Sequence, residues 1–313
     1  MLPEISAYFR EKLKVFFLTD NLILNTKVIP IDDTHFKAIA DSYEQKNIAF
    51  IDGGQAEIFT GGSLSLSFIR VFAQVMKGKQ RVSSRKEEFY VFTTAVYKEG
   101  EIWYEGKIFS DREHFILEKD LCLSSNDASI KSGLERGSIT SVAGMARRLA
   151  ELKMASILEA DYVLVDGTLE ASSQIEENYI AALSGKVSAL AKTCSLFTTC
   201  GNSPIVLLQK LSPLSGSWSY QVDEKNYFVK LNSKAKHVFR FQGNNEIMPF
   251  LVENSHDAVF LGYPYGLLLA DQMARVSNAE KNSLRMKILL REENKEMVSY
   301  LQAMNAHEIL DGK

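Results

Sequence analysis

The sequence of 313 residues contains little cysteine or histidine, and neither residue type is clustered. Its three cysteines form no CxxC pair. An odd number of scattered cysteines does not suit a disulfide framework and fits a reducing compartment better. The five histidines form no HxxxH pattern and no cluster with cysteine. We therefore expect no zinc site built from these residues.

The sequence also lacks an excess of one charge and a long apolar run. Lys and Arg number 36 and Asp and Glu number 39, and the net charge of −3 excludes a polycation that binds nucleic acid through bulk charge. The longest uncharged apolar stretch, residues 258–270, is too short to span a membrane. Residues 1–18 carry charges such as Glu4 and Arg10, which a secretion signal does not tolerate. We expect a cytoplasmic protein without a membrane partner.

The hydrophobic fraction of 46% is enough for a sizeable core. Residues 47–52 and 161–166 are apolar runs that each end in Asp-Gly, a pattern typical of strands that are buried on both faces. Other predicted elements are an amphipathic N-terminal helix with apolar residues at 5, 9, 13 and 16, strands at 63–68, 89–97 and 102–109, helices at 139–160, 174–183 and 267–276, an apolar segment at 187–197, loops and edge strands at 201–236, a short strand at 258–261, and a long charged helix at 279–306. Together they predict an α/β protein with a mixed β-sheet flanked by helices.

The two Asp-Gly corners place Asp52 and Asp166 at the ends of buried strands. A buried carboxylate is costly unless a cation, a basic side chain or backbone N–H groups compensate its charge. On neighbouring strands the two carboxylates would lie about 5 Å apart, a separation that suits divalent ions and two-metal phosphodiester hydrolysis. Asp-Gly is also a common turn signal, so each corner alone is more often a simple corner between a strand and a loop, and the two together make both interpretations about equal.

A metal site of this kind needs a third acid, because Mg²⁺ and Mn²⁺ prefer octahedral oxygen ligands. Glu151, within the predicted helix 139–160, is the first candidate and Glu159 the second. The alternative for Glu151 is an exposed helix acid paired with Arg147, four residues before it. Further along, residues 262–266 contain Tyr263 and precede a helix that carries Asp271. The two tyrosines of this segment, Tyr263 and Tyr265, could either pack against other residues or donate a hydrogen bond to a phosphate or a metal-bound water.

Taken jointly, five motifs resemble the NurA family of prokaryotic DNA-repair nucleases, which have a ribonuclease H-like core. The motifs are residues 51–54, Arg147 or Arg148 with Glu151, residues 163–169, Lys192, and residues 262–265 followed by Ala270 and Asp271. Their order and spacing match over roughly residues 47–280. The resemblance implies a ribonuclease H-like nuclease domain at 47–280, an N-terminal helical segment at 1–46 and a C-terminal helical tail at 281–313.

The resemblance also implies an activity and its residues. It implies a Mn²⁺- or Mg²⁺-dependent nuclease that digests DNA from 5′ ends, also cutting single strands internally, and acts in DNA end resection as a homodimer with a HerA-type hexameric ATPase. Asp52, Glu151, Asp166 and Asp271 would be the metal ligands. Asp271 stands where the family has His or Asp, and aspartate instead of histidine could change the metal preference. Tyr263 matches the family's tyrosine. Lys192 could neutralise the scissile phosphate, or be an ordinary lysine at the edge of a strand.

Two basic segments are candidates for contact with DNA. The first consists of Lys77, Lys79, Arg81, Arg85 and Lys86, and the second of Lys230, Lys234, Lys236 and Arg240 with Tyr227, Phe228 and Phe239 interleaved. Cations would bind phosphates and aromatic rings would stack on bases, although such runs are more often solvated surface. Two other functions remain open. One is an actin-like or sugar-kinase-like ATPase, and the other is a non-catalytic protein that binds DNA or an ATPase.

Overall fold

A large mixed β-sheet organises the chain in this computed structural model, which describes residues 1–15, 20–24, 26–40, 42, 44–131 and 133–304. The strands are β1 (Leu22–Leu24), β2 (Lys27–Ile29), β3 (Phe36–Ala38), β4 (Asn47–Thr60), β5 (Leu64–Lys77), β6 (Gln80–Lys98), β7 (Glu101–Phe109), β8 (Cys122–Ser124), β9 (Tyr162–Asp166), β10 (Val187–Ala191), β11 (Trp218–Gln221), β12 (Asn226–Lys230) and β13 (Phe239–Gln242). The helices are α1 (Leu2–Val15), α2 (Ser141–Ile157), α3 (Gln174–Ala181), α4 (Pro204–Leu211), α5 (Met248–Asn254), α6 (Tyr265–Ala274), α7 (Asn278–Leu289) and α8 (Lys295–Met304).

The centre of the sheet has the ribonuclease H-like strand order. Eleven strands lie in the order β3-β11-β12-β13-β10-β9-β4-β5-β6-β7-β8. Within this sheet β4, β5 and β6 form an antiparallel meander, and β9 and β10 add on the other side of β4 in parallel. Helix α2 connects the meander to β9, and α3 connects β9 to β10. The fold class predicted from the sequence is therefore confirmed.

Helices cover both faces of this central sheet. On one face α2 packs on alternate residues of the strands, such as Ile51 and Val165. On the other face α5 and α6 pack on the intervening residues, including Phe50 and Leu164. This alternation is the side-chain period of two of a β-strand. It explains the continuous apolar runs of β4 and β9, since both faces of these strands are buried.

Several predicted elements differ from the structure. The segment 201–236 was expected to hold loops and edge strands, but it contains α4 and two strands, of which β12 lies between β11 and β13. The predicted strand at 258–261 is wrong, because those residues form bends and turns. The apolar segment at 187–197 is a strand only as far as Ala191. In each case tertiary pairing, which local pattern does not reveal, decides the outcome.

The terminal segments also contain more than the sequence indicated. Residues 1–46 include α1, the β1–β2 hairpin and β3, which pairs with β11 in the main sheet. The predicted tail helix is wrong as a single element, because a short 3-10 turn at Glu292–Asn294 separates α7 from α8. Predictions that fall on Phe16 and Ala306 lie outside the described residues. Among the helices in the described ranges, none is long and apolar enough to cross a membrane.

Two glycines allow α6 to lie unusually close to β4. A methyl group added to Gly266 in α6 would overlap the ring of Phe50 in β4. A methyl group added to Gly54 in β4 would overlap the backbone of Ala274 at the end of α6. The helix backbone and the strand therefore approach within the space that a side chain normally fills. Asp271, between these two contacts along α6, is brought in this way to the middle of β4, which continues beyond Asp52 to Thr60 and does not end at the predicted Asp-Gly corner.

Gly266→Ala is expected to lower the free energy of unfolding by about 1–3 kcal/mol, because the added methyl group forces α6 away from Phe50. Urea denaturation measures the change. Gly144→Ala in α2 is the matched control, since its nearest neighbour, Gln55 Oε1, would be at an ordinary 3.8 Å. That variant should gain up to about 1 kcal/mol from helix propensity. Equal losses at both glycines would contradict the close approach of α6.

Candidate active site

Three neighbouring strands in the middle of the sheet, β4, β9 and β10, direct polar side chains to the same face. In β4, Asp52 shares the α6 face with Phe50, and in β9, Asp166 shares it with Leu164. Lys192 follows β10 in phase with Leu190, which is on the same face and pairs with Asp166. Asp166 and Lys192 lie at the carboxyl ends of the parallel strands β9 and β10, the usual position of a ligand site in an open α/β sheet, and Asp52 lies beside them in the middle of β4. Sequence alternation and strand order together bring these three residues into contact.

Helix α6 and the turn before it complete the group. Asp271 Oδ1 lies 3.7 Å from Lys192 Nζ. Asp271 Oδ2 accepts a hydrogen bond of 2.8 Å from Arg275, as the spacing of four residues along the helix predicts. Tyr263 is buried, and its hydroxyl donates to Asp166 Oδ1 at 3.4 Å. Five residues predicted from the sequence thus lie together: Asp52, Asp166, Lys192, Tyr263 and Asp271.

The ammonium group of Lys192 is at the centre of the three aspartates. It donates a hydrogen bond of 2.7 Å to Asp166 Oδ2 and lies 3.9 Å from Asp52 Oδ2. It also lies 5.3 Å from the ring centroid of Tyr263, within the range of a cation–π contact. Burial alone would lower the pKa of Lys192, but its carboxylate neighbours outweigh burial and raise it. Lys192 is therefore held as a cation.

Asp52 has an oxygen atom without a hydrogen bond. The residue is only 6% exposed. Its Oδ1 accepts from the backbone N–H of Gly53 at 2.7 Å, whereas its Oδ2 is buried and has no hydrogen-bond partner among the residues that the structure describes. Burial, followed by repulsion from Asp166 and Glu151, raises the pKa of Asp52 to about 8. A buried, unsatisfied carboxylate oxygen costs free energy in the absence of a ligand and is typical of a functional site.

Tyr263 serves as a hydrogen-bond donor in this group and not as an anion. Burial and the nearby negative charge of Asp166 and Asp52 raise its pKa well above the usual value of a phenol. Its ring packs against Phe239 at a centroid distance of 5.4 Å. The tyrosine therefore orients Asp166 on one side and supports Lys192 on the other. The structure shows the packing that the sequence left as one alternative, whereas a hydrogen bond from the tyrosine to a phosphate or a metal-bound water stays a prediction.

Glu151 approaches β4 from the opposite face of the sheet. It is 3% exposed, and Arg147 Nη1 donates to its Oε1 at 3.0 Å, with Arg148 Nη1 3.8 Å from its Oε2. The predicted pairing with Arg147 is thus confirmed, but the exposure assumed in that alternative is wrong. Burial raises the pKa of Glu151, and the two arginines oppose this shift. Glu159 is exposed beyond the end of α2 and precedes β9, so it lies at the far end of the strand from Asp166.

Gly53 makes the position of Glu151 possible. An added methyl group at Gly53 would overlap Glu151 Oε1 and lie 2.9 Å from Arg147 Cγ. Arg147 also donates a hydrogen bond of 3.0 Å to the Gly53 carbonyl. The glycine after Asp52 is therefore required by the close approach of α2. The sequence showed this residue only as half of a turn signal.

The loop after Asp166 is held by residues that sequence analysis did not single out for this role. Gln242 Oε1 accepts from the Leu169 N–H at 2.7 Å, and Arg240 binds both carboxylate oxygens of Glu170. Arg148 donates to the carbonyl of Thr168. An arginine between two aromatic residues of an inner strand is the sequence signal that could have indicated a buried ion pair.

The structure corrects part of the second basic segment. Arg240 is buried and paired with Glu170, and Tyr227, Phe228 and Phe239 are core residues, so these four are not available to bind DNA. Lys234 and Lys236 are exposed in the loop between β12 and β13. Ala235 between them packs against Gly262, next to Tyr263. The two lysines therefore lie on the surface next to the turn that carries Tyr263.

In the described part of the chain, no three Asp, Glu, His or Cys side chains are arranged at the spacing of a metal's ligands. Mg²⁺ binds oxygen at about 2.0–2.1 Å, whereas the three aspartates lie 2.7–3.9 Å from their common centre, Lys192 Nζ. The donor set still fits a hard divalent cation, because it is all carboxylate and one buried oxygen of Asp52 is unsatisfied. Asp52, Asp166 and Asp271 are the residues that would hold it.

Comparison with solved structures returns nucleases. The NurA nuclease from Sulfolobus solfataricus is 12% identical, with 84% of this chain and 89% of that chain covered and a TM-score of 0.47. A second NurA crystal structure is 8% identical, with 84% and 92% covered and a TM-score of 0.49. Ciona intestinalis endonuclease V in complex with inosine-containing DNA is 12% identical, with 87% and 95% covered and a TM-score of 0.38.

The two NurA structures are from the family that the sequence motifs resemble. No protein-family model matches the chain, and no curated protein matches it.

Gly53→Ala should destabilise the protein, and the loss should shrink when Glu151 is also replaced by alanine, because the closer of the two overlaps of the methyl group is then removed and only that with Arg147 Cγ is left. We expect a coupling energy of about 1 kcal/mol or more in a double-mutant cycle, since the two residues are in contact. Urea denaturation of the two single variants and the double variant measures it. Strictly additive losses would show that Glu151 does not occupy the space above Gly53.

Proposed function

We propose that this chain is a metal-dependent deoxyribonuclease that acts in DNA end resection. The observation that carries the proposal is the convergence of Asp52, Asp166 and Asp271 on one face of a ribonuclease H-like sheet, with Asp52 Oδ2 buried and unsatisfied. Carboxylates at this density are the ligands that Mn²⁺ and Mg²⁺ prefer. The resemblance of the motifs to the NurA family adds the substrate, DNA, and the 5′-to-3′ direction.

The residues of the site have different proposed roles. Asp52, Asp166 and Asp271 hold the cation or cations, and Glu151 contributes negative charge from the α2 face. A divalent cation supplies positive charge that stabilises the phosphodiester transition state and activates water, in a two-metal arrangement when two ions bind. Tyr263 keeps Asp166 oriented through its hydroxyl. Lys192, whose side chain is 41% exposed, can reach a phosphate outside the aspartate group.

The partners proposed with this activity are a second copy of the chain and a HerA-type ATPase, as the resemblance implies. Helix α1 supports an assembly, because its apolar residues Leu2, Ile5 and Phe9 are all exposed in the single chain. Exposed apolar patches of this kind mark interaction surfaces.

A second candidate function is favoured by one observation. Lys192 already neutralises the aspartates in the structure, which suits a protein that binds DNA or an ATPase without hydrolysing DNA. Digestion of DNA under any divalent cation rules out this candidate, and DNA binding without digestion favours it.

Asp52→Asn is expected to reduce DNA digestion about 100- to 1,000-fold, because loss of the buried carboxylate removes several kcal/mol of metal-dependent stabilisation. The assay uses single- and double-stranded DNA labelled at the 5′ or the 3′ end, with Mn²⁺, Mg²⁺ or EDTA. EDTA should abolish digestion, and release of 5′-labelled mononucleotides before 3′-labelled ones indicates the proposed direction.

The matched control is Asp33→Asn. Asp33 is exposed beside β3, an outermost strand of the sheet that β11, β12 and β13 separate from β10, and its replacement should leave wild-type activity. Undiminished digestion by Asp52→Asn, or digestion that persists in EDTA, would refute the assignment of the site. The folded state of each variant is checked by its thermal melting curve.

Lys234→Ala combined with Lys236→Ala should weaken binding of single-stranded DNA and lower the slope of log K against log salt by about 0.7 per lost phosphate contact. Both lysines are exposed next to the turn that carries Tyr263. Fluorescence anisotropy of labelled DNA over a salt series, in EDTA, measures both quantities. Lys119→Ala is the control, because Lys119 is exposed in the turn before Leu121, which packs on the α2 face. An unchanged salt slope in the double variant would place the DNA elsewhere.

A further inference from the structure

Lys192 occupies the position that a metal ion would need. Its Nζ lies within 2.7–3.9 Å of one oxygen atom from each of Asp52, Asp166 and Asp271. These distances are too long for ligands of Mg²⁺, which binds oxygen at about 2.0–2.1 Å. A divalent ion at the same point would draw the carboxylates inward, and an ammonium group and a divalent ion cannot share that point.

The polar contacts of Lys192 all involve its ammonium group. Its hydrogen bond goes to Asp166 Oδ2, and its remaining contacts are longer ion pairs and the face of the Tyr263 ring. The side chain is 41% exposed, so its flexible stem can leave the aspartates without disturbing the core. Asp52 Oδ2, at 3.9 Å from Nζ, is beyond hydrogen-bond distance and stays unsatisfied. Lys192 therefore offsets part of the negative charge of the three aspartates but leaves Asp52 Oδ2 without a hydrogen bond.

We infer that Lys192 is a built-in competitor of the metal ion: in the metal-free protein its ammonium group takes the place of the cation, and metal binding displaces it. The inference rests on the proposed metal centre of the nuclease. Lys192 is a positioning residue in this role, since it sets how much divalent cation is needed to fill the site. Once displaced, the ammonium group is free to meet a phosphate that enters beside the aspartates.

The test compares Mn²⁺ binding by wild type, Lys192→Met and Lys186→Met, without DNA, after removal of metal with a chelator. Methionine keeps a long flexible stem and removes the charge. Lys186 is the matched control: it precedes the same strand, β10, at its other end and donates to the carbonyl of Leu158. Isothermal titration calorimetry should show that Lys192→Met binds Mn²⁺ about tenfold or more tightly than wild type, because one competing charge is gone. Lys186→Met should bind like wild type.

Equal or weaker binding by Lys192→Met, with wild type binding Mn²⁺, would overturn the competition and leave the metal centre intact. Absence of saturable Mn²⁺ binding in wild type and both variants would overturn the metal centre and the competition together. The two failures are thus distinguishable without any measurement of DNA digestion.

Lys192→Gln covers the case in which the methionine variant does not fold without metal. Glutamine carries no charge but can still donate to Asp166. In a chelator its melting temperature should lie below that of wild type, because the three aspartates lose their cation. Saturating Mn²⁺ should then raise its melting temperature by more than that of wild type, since stabilisation grows with affinity. An equal or smaller rise would overturn the inference.

Discussion

Three aspartates that share a small volume need a cation, and the architecture around them follows from that need. Asp52 is buried, and its raised pKa records how unfavourable its charge is without compensation. Asp166 and Asp271 add further negative charge within reach of the same point. Burial of unpaired charge costs several kcal/mol in a protein interior. The fold tolerates this arrangement because Lys192 supplies one positive charge and because Lys192 and Asp271 are partly exposed to solvent.

The geometry of the group depends on regular features of the backbone. Strand alternation sets Asp52, Asp166 and Lys192 on one face, and parallel pairing of β4, β9 and β10 brings them together. The fourth member, Asp271, comes from α6, which reaches β4 only because Gly54 and Gly266 leave room for it. A side chain at either glycine would separate the helix from the strand. Backbone packing at these two glycines therefore controls the distance of Asp271 from the residues of β4.

Much of this could be predicted from local pattern, and the rest depends on long-range pairing. The apolar runs that end at Asp52 and Asp166 indicate buried strands, and period-two alternation then gives the shared face. The strand order is not encoded in either run, and the motif resemblance supplied it. The partner of Arg240, Glu170, and the role of Gly53 in seating Glu151 could not be predicted, because both arise from contacts between segments distant in sequence.

The cationic side chains on the two faces of the sheet are held differently. This difference indicates which of them is free to move when a ligand binds. On the α2 face, Arg147 and Arg148 are fixed by backbone carbonyls as well as by Glu151, with Arg148 also bound to Glu176. A planar guanidinium tied at several points stays in place when a ligand arrives. On the α6 face, Lys192 is tied only by the carboxylates and the Tyr263 ring. Glu151, one of the four predicted metal ligands, is therefore held by fixed partners, while Asp52, Asp166 and Asp271 share a cation on a flexible side chain.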